Sequence, residues 1–148
     1  MTLEGVRIEF PSQRPILLLK EKAGDRYLPI WVGTFEASAI ALELSNIKTP
    51  RPMTHDLISN IFRELHATIT RIVITDLNDN VYYALMYAKN AQGEIAIDSR
   101  PSDAIAVALR VSAPIFVEDR VMAKANGCEW EDEEDKRTRG FMEWVDKL

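Results

Sequence analysis

A chain of 148 residues fits one domain with a sizeable core, and its hydrophobic content of 47% and charged content of 28% are ordinary for a globular protein. A single cysteine, Cys128, excludes an intrachain disulfide and a cysteine-based metal cluster, so we expect a cytoplasmic protein. The sequence lacks an apolar run that could span a bilayer and a signal-peptide pattern, so we expect no membrane association.

The net charge of −5 is concentrated at the C-terminal end. Residues 129–148 hold 8 of the 23 acidic residues and 4 of the 18 basic ones, which leaves residues 1–128 close to neutral. Nucleic-acid binding without sequence preference depends on many contacts from basic residues to phosphates. The composition therefore disfavours tight binding of that kind, although it is compatible with a local basic groove.

Apolar periodicity predicts two structural units in the first half of the chain. The first is β-rich: a strand over 3–10, then a hairpin of strands 16–20 and 27–32. The second is a helical pair separated by a proline-containing loop at 47–53. We expect Thr34 to cap a helix that ends near Asn46, and Thr54 to cap a helix over 56–66.

The second half begins with a predicted β-meander of three strands, at 68–77, 81–88 and 94–98. Asn78, Asp79 and Asn80 form the first turn, because Asn and Asp tolerate left-handed backbone conformations. After a buried helix that follows the meander, we expect a short strand at 115–117 and a short helix over 118–126.

The C-terminal segment differs in composition from the rest. Six acids surround Trp130 between residues 129 and 135, a density that predicts a solvated linker. The apolar residues of the last stretch follow a single helical stripe, namely Phe141, Trp144, Val145 and Leu148. We therefore predict a domain over 1–128, followed by an acidic linker and a short amphipathic helix over 129–148.

Two segments of the chain resemble each other without gaps. Residues 29–42 and 94–107 each read as a strand, a polar corner and a helix with the sequence Ala-Ile-Ala. The likeness indicates either a duplicated strand–helix unit or two buried helices that need small residues. If the duplication is real, the two corners are expected to face each other.

The polar corner between residues 98 and 103 is the strongest candidate site. Pro101 suits a first helical turn, and Ser102 and Asp103 would lie among its unpaired N–H groups. Asp98 and Arg100 add a second carboxylate and a guanidinium. The corner is either a well-capped helix start or a functional site, and the capping interpretation needs no ligand.

The remaining candidates allow the same two interpretations. Asp98 and Asp103, with Glu36 from the equivalent corner, can share a divalent cation such as Mg²⁺ or Mn²⁺, or can serve as caps and dipole partners. His55 beside Asp56 is either a general base or metal ligand, or is incidental to a helix start. Arg110 lies on an apolar helix face, so we expect a buried partner for it among Asp98, Asp103 and Glu36.

Three stretches of the chain resemble a known family. They are Leu28-Pro-Ile-Trp-Val-Gly-Thr-Phe-Glu-Ala-Ser-Ala-Ile40, Pro50-Arg-Pro-Met-Thr-His-Asp-Leu57 and Ile97-Asp-Ser-Arg-Pro-Ser-Asp-Ala-Ile-Ala106. In order and spacing they look like the signature stretches of the bifunctional nuclease domain family, formerly a domain of unknown function. The resemblance covers about residues 1–125, and departs at Thr34, where a proline is common, and at Ser99, where an alanine is common.

The resemblance implies an α+β fold with helices packed on a strongly bent sheet of mixed and antiparallel strands, in a homodimer. The family takes its name from plant members described as cutting DNA and RNA, which implies nuclease activity by analogy. The polar set shared by the family falls on Glu36, Arg51, Thr54, His55, Asp56, Asp98, Arg100, Ser102 and Asp103.

Two hypotheses follow. In the first, the chain is a low-specificity nuclease dependent on a divalent cation that is held by Asp98 and Asp103, with Glu36 as a further ligand. Its catalytic residues would be His55 as base, Arg51 and Arg100 as phosphate clamps, Asp56 and Ser102. In the second, the chain is a non-catalytic dimeric module that binds a small anion or a partner protein, and the polar corners serve the fold.

Overall fold

The computed structural model describes residues 3–9, 15–22 and 26–126. In chain order the elements are β1 (Leu3–Glu9), β2 (Ile16–Glu21), β3 (Tyr27–Trp31), α1 (Thr34–Leu44), α2 (Thr54–Glu64), β4 (Thr68–Asn78), β5 (Val81–Asn90), β6 (Gly93–Ser99), α3 (Pro101–Val111), β7 (Ile115–Val117) and α4 (Asp119–Asn126). Each predicted element within these residues is confirmed, with ends that shift by up to two residues. The linker and helix predicted over 129–148 lie outside the described residues.

The strands form two sheets, and the predicted α+β class is confirmed. One sheet is antiparallel with the order β1-β2-β3, and the other has the order β6-β5-β4-β7, in which β7 runs parallel to β4. The resemblance implied a bent sheet of mixed and antiparallel strands. The structure has an antiparallel sheet and a mixed sheet, and no ladder among the described strands joins them. Both β3 and β6 are edge strands, and each is followed directly by a helix.

The turn between β4 and β5 follows the prediction from its residue types. Asp79 and Asn80 have φ values of 48° and 62°, the left-handed region that both central residues of a tight hairpin turn require. Asn78 pairs with Val81 directly across the turn. The short polar side chains of Asp and Asn therefore fix where the hairpin reverses.

A single hydrophobic core lies between the helices and both sheets. The middle of α3, from Ala104 to Ala108, is completely buried, as its lack of charge predicted. Leu17 from the first sheet and Ile72 from the second belong to the same core cluster. Ala37 and Ile40 are the buried residues of α1, whose alanines allow α3 to approach closely. In the part of the chain that is described, no helix is long and apolar enough to cross a membrane.

The helix starts differ from the predicted caps. Thr34 and Thr54 are the first residues of α1 and α2, and the extended residues Gly33 and Met53 hold the cap positions. The prediction that the two threonines cap their helices is therefore wrong. At α2, the carboxylate of Asp56 accepts a hydrogen bond from the Met53 N–H at 3.0 Å, which satisfies that group without a capping hydroxyl.

Candidate functional site

Three helices carry an acidic residue at the same position. Glu36, Asp56 and Asp103 are each the third residue of their helix, in α1, α2 and α3 respectively. A carboxylate there interacts favourably with the unpaired N–H groups and the dipole of its own helix. Because α3 packs against both α1 and α2, the acids also come within reach of arginines from α3.

Four side chains form a hydrogen-bonded cluster at the start of α3. Asp103 Oδ1 bonds to His55 Nε2 at 2.8 Å, and its Oδ2 accepts from Arg100 Nε at 2.7 Å. Arg100 Nη2 donates to Glu36 Oε1 at 2.8 Å. We call Glu36, His55, Arg100 and Asp103 the Arg100 cluster. It joins residues from all three stretches that carry the family resemblance.

The electrostatics of the cluster keep Asp103 ionised. Burial alone would raise the pKa of Asp103, but hydrogen bonds from Arg100 and His55 outweigh burial and hold it below its ordinary value. The hydrogen bond to Asp103, followed by the one to Glu36, raises the pKa of Arg100. In the cluster, two carboxylates therefore share one guanidinium, and the imidazole of His55 bonds to the other oxygen of Asp103.

The cluster extends from the interior to the surface. His55 is only 6% exposed, whereas the side chain of Arg100 is 65% exposed. A guanidinium has five N–H donors, and the bonds to Asp103 and Glu36 use two of them. Arg100 can therefore keep both carboxylates while its remaining donors face an anion in solvent.

Gly33 makes room for one member of the cluster. A Cβ atom at this position would collide with the carboxylate of Glu36, which folds back over the start of α1. A side chain here would push Glu36 away from its hydrogen bond with Arg100. The glycine is thus a positioning residue that the sequence pattern did not single out.

A second ion pair ties the three helices together. Arg110 Nε donates to Asp56 Oδ1 at 2.6 Å, and its other nitrogens donate to the carbonyls of Ala106 at 2.7 Å and Ala39 at 3.1 Å. The prediction of a partner for Arg110 among Asp98, Asp103 and Glu36 is wrong, because Asp56 on the neighbouring helix lies closer. Two signals in the sequence could have predicted the pair of Arg110 and Asp56. They are a lone arginine on an apolar helix face and an acid in the first turn of each helix.

The predicted metal ligands do not meet in one place. Asp98 of β6 pairs with Leu85 of β5, on the sheet face opposite to the half-buried Ile97 and the buried Met86. Asp103 is already bonded to Arg100. Within the described residues, no three His, Cys, Asp or Glu side chains are grouped so that they could hold a metal ion. As arranged, these carboxylates do not fit one cation, and metal dependence stays a prediction.

Two further predicted residues lie near the helix starts without joining the cluster. Arg51 is exposed in the loop before α2 and has no ion pair with the described residues. Ser102 is 7% exposed in the first turn of α3, a position that matches the capping interpretation better than contact with a substrate. Their catalytic roles remain predictions.

The corners of the two similar segments do face each other. The first corner precedes α1 and contributes Glu36, while the second precedes α3 and contributes Arg100, and the two side chains are hydrogen-bonded. Both segments have the predicted order of strand, corner and helix. Whether they arose by duplication stays a hypothesis, but their contact builds half of the cluster.

Comparison with known proteins agrees with this geometry. The model of the bifunctional nuclease domain matches residues 17–129, a span that contains the whole Arg100 cluster. An uncharacterized protein from Mycobacterium tuberculosis is 48% identical over 122 residues, which are 82% of this chain and 72% of that protein.

Plant proteins are similar at lower identity. Bifunctional nuclease 1 from Oryza sativa subsp. indica is 32% identical over 109 residues, covering 72% of this chain and 33% of the plant protein. Bifunctional nuclease 1 from Arabidopsis thaliana is 26% identical over 128 residues, covering 84% of this chain and 39% of its own. The chain therefore spans only 33% to 39% of the length of these two plant proteins. From the span of the domain match, over residues 17–129, the chain belongs to the bifunctional nuclease domain family.

Proposed function

We propose that the chain hydrolyses phosphodiester bonds in DNA and RNA with low sequence specificity, at the Arg100 cluster. The observation that carries the proposal is the junction of three distant chain segments in one hydrogen-bonded group of acid, histidine and arginine. Membership of a family whose plant relatives are named bifunctional nucleases supports nucleic acid as the substrate class.

His55 is the general base of the proposed reaction. The proposed tautomer carries its proton on Nε2 and donates it to Asp103, so that Nδ1 holds the lone pair that takes a proton from water. The oxygen of that water forms a bond to phosphorus, and the bond from phosphorus to a sugar oxygen breaks. The departing oxygen takes a proton from the imidazolium, which restores neutral His55.

Arg100 is the proposed phosphate contact. Its unused N–H donors can bond two non-bridging phosphate oxygens, on which negative charge develops as the bond breaks. Glu36 and Asp103 hold the guanidinium in a fixed orientation. No metal ion is placed in this scheme, because Glu36 and Asp103 are both bonded to Arg100; dependence on Mg²⁺ or Mn²⁺ stays a prediction.

A second candidate function is a non-catalytic module that binds a small anion or a partner protein. It is favoured by the pairing within the cluster, where both carboxylates already bind Arg100 and His55 is buried. In that case the cluster would only stabilise the packing of the first turns of α1, α2 and α3. Dimerisation and a cytoplasmic location remain predictions under either function.

The test is cleavage of single-stranded DNA and RNA by the purified protein, with Mg²⁺, Mn²⁺ or EDTA, across a range of pH. We expect His55→Asn to lower the cleavage rate by about 10²-fold or more, the usual contribution of a general base. His66→Asn is the matched control, because His66 is exposed at the end of α2 and its φ of 57° suits asparagine.

Equal cleavage by the His55→Asn protein and the wild type would remove His55 as the base. Intact DNA and RNA at every pH, with either metal or with EDTA, would remove the enzymatic proposal and favour the non-catalytic module. Cleavage that disappears only in EDTA would restore the predicted metal dependence, and the scheme would then need a cation.

A further inference from the structure

A cavity of about 400 Å³ is lined by Asp56, the residue that follows His55 in α2, and plays no part in the proposed reaction. It is bordered by the end of α1, the loop of residues 47–53 and the face of α2 that runs from Asp56 to Arg63. Its size falls within the range of small-molecule sites. The proposed reaction leaves the polar and charged side chains that line this cavity unused.

The floor of the cavity is polar and rigid. Asp56 and Arg110 both line it, and the side chain of Arg110 is only 7% exposed. Because Arg110 also bonds two helix carbonyls, neither its position nor that of Asp56 depends on a ligand. Asp56, whose side chain is 32% exposed, can accept a hydrogen bond from a hydroxyl or amino group that enters the cavity.

The rim of the cavity carries excess positive charge. Lys48 and Arg63 line it, against one further acid, Glu43. Arg63 Nη2 donates to Asn60 Oδ1 at 3.0 Å, a neutral partner, and neither cation has an ion pair with the described residues. An anionic group that enters the cavity would therefore meet two cations that form no ion pair within the described part of the chain.

The same cavity also offers apolar surface. Ile47 is 55% exposed and Met53 is 49% exposed, and Pro50 and Pro52 stand between them in the chain. Exposed apolar side chains grouped with cations indicate a ligand that has a flat apolar part and an anionic part. A nucleotide has both, together with sugar hydroxyls and base edges for the polar floor.

We propose that this cavity binds one nucleotide of the strand whose neighbouring phosphodiester lies at the Arg100 cluster. The inference rests on the proposed function for its substrate class. His55 and Asp56 are consecutive residues of α2, one bonded within the cluster and the other on the cavity floor. A short oligonucleotide can therefore contact both places. The base lies against Met53 and the prolines, and the phosphate lies at Lys48 and Arg63.

The experiment is a binding titration of the full chain with adenosine 5′-monophosphate, followed by NMR chemical shifts, which requires no cleavage. We expect the shifts to concentrate on Ile47, Ser59 and Asn60. Lys48→Glu should weaken binding at least tenfold. Lys89→Glu, the same charge reversal at an exposed position of β5, should change the affinity by less than twofold. Ribose 5-phosphate, which lacks the base, should bind at least tenfold more weakly.

Shifts outside the cavity, or equal effects of the two lysine variants, would overturn the proposal. Equal affinity for ribose 5-phosphate would overturn the base contact and leave a simple anion site. Binding that persists in a protein without cleavage activity would support the nucleotide site while removing the hydrolytic function. The two proposals can therefore fail separately.

Discussion

Asp103 shows how one side chain can interact with the dipole of its own helix and also join neighbouring segments of the fold. It lies in the first turn of its own helix, yet both of its oxygens bond to side chains, from the cap residue Arg100 and from His55 on another helix. The sequence presented capping and site formation as alternatives. At this residue both oxygens bond to side chains of the cluster, and the first-turn position adds only a favourable interaction with the helix dipole.

The substitution Asp103→Asn should make the Tm of the protein vary less with pH in the acid range. The folded pKa of Asp103 lies below its ordinary value, so its stabilising contribution is complete above the unfolded pKa of about 3.9. The contribution is lost as pH falls through the lower folded value. We expect the Tm difference between wild type and variant to be largest near pH 6 and to shrink below pH 4, in thermal unfolding followed by circular dichroism. A constant difference down to pH 2 would contradict it.

Lys124→Met should raise the pKa of Asp76. Lys124 Nζ donates to Asp76 Oδ1 at 2.8 Å, and this bond is the main reason that the pKa of Asp76 falls to about 2. The Leu77 N–H still bonds to the carboxylate, so we expect a rise toward, but not up to, the ordinary value of 3.8. The measurement is an NMR titration of the Asp76 carboxyl carbon, and an unchanged midpoint would exclude the Lys124 bond.

At the scale of elements, α3 organises the molecule because it combines a buried centre with ion pairs at both ends. Its start contributes Arg100 and Asp103 to the cluster, and its last turn contributes Arg110. The helix ends at Ser112 in a left-handed conformation, with φ of 56°, and the Ala113 N–H bonds back to Ala108 O at 3.0 Å. After this turn the chain continues into β7.

Ser112→Gly should stabilise the protein by about 0.5–1 kcal/mol. Glycine removes the steric cost of a left-handed residue, which is about 1–2 kcal/mol, and this exceeds its added freedom in the unfolded chain. Ser45→Gly at the end of α1 is the matched control, since its φ of −88° gives glycine no advantage. Urea unfolding should show opposite changes in the two variants, and a loss of stability in Ser112→Gly would refute the strain argument.

At the scale of the whole molecule, the two sheets share one core although no ladder among the described strands connects them. Leu28 of β3 and Ile105 of α3 are completely buried in the same cluster as Ile72 of β4. A shared core predicts that neither sheet unfolds on its own. The three helices above this core then keep a fixed arrangement, on which the cluster and the cavity both depend.

Leu28→Ala should lower the free energy of unfolding by about 2–5 kcal/mol, the usual cost of truncating a buried leucine. The transition should stay single, with coincident curves from circular dichroism and tryptophan fluorescence in urea. Leu57→Ala, at a leucine that is 53% exposed, should change stability by less than about 0.5 kcal/mol. Separate transitions from the two probes would show that the sheets unfold independently.

The sequence by itself determined the elements, the buried character of α3 and the turn at Asp79 and Asn80, because these depend on local periodicity and backbone preference. It also placed His55, Arg100 and Asp103 among the candidates, because polar groups at helix starts are visible in the chain.

Only the tertiary structure decided which candidates meet. Arg110 binds Asp56 and none of the three expected acids. Asp98 lies on the sheet face opposite to Ile97 and Met86. Partner choice between charged groups depends on distances across packed helices, and those distances are set by the core and not by neighbours in the chain. For the same reason, the cavity between α1 and α2 exists only in the folded protein.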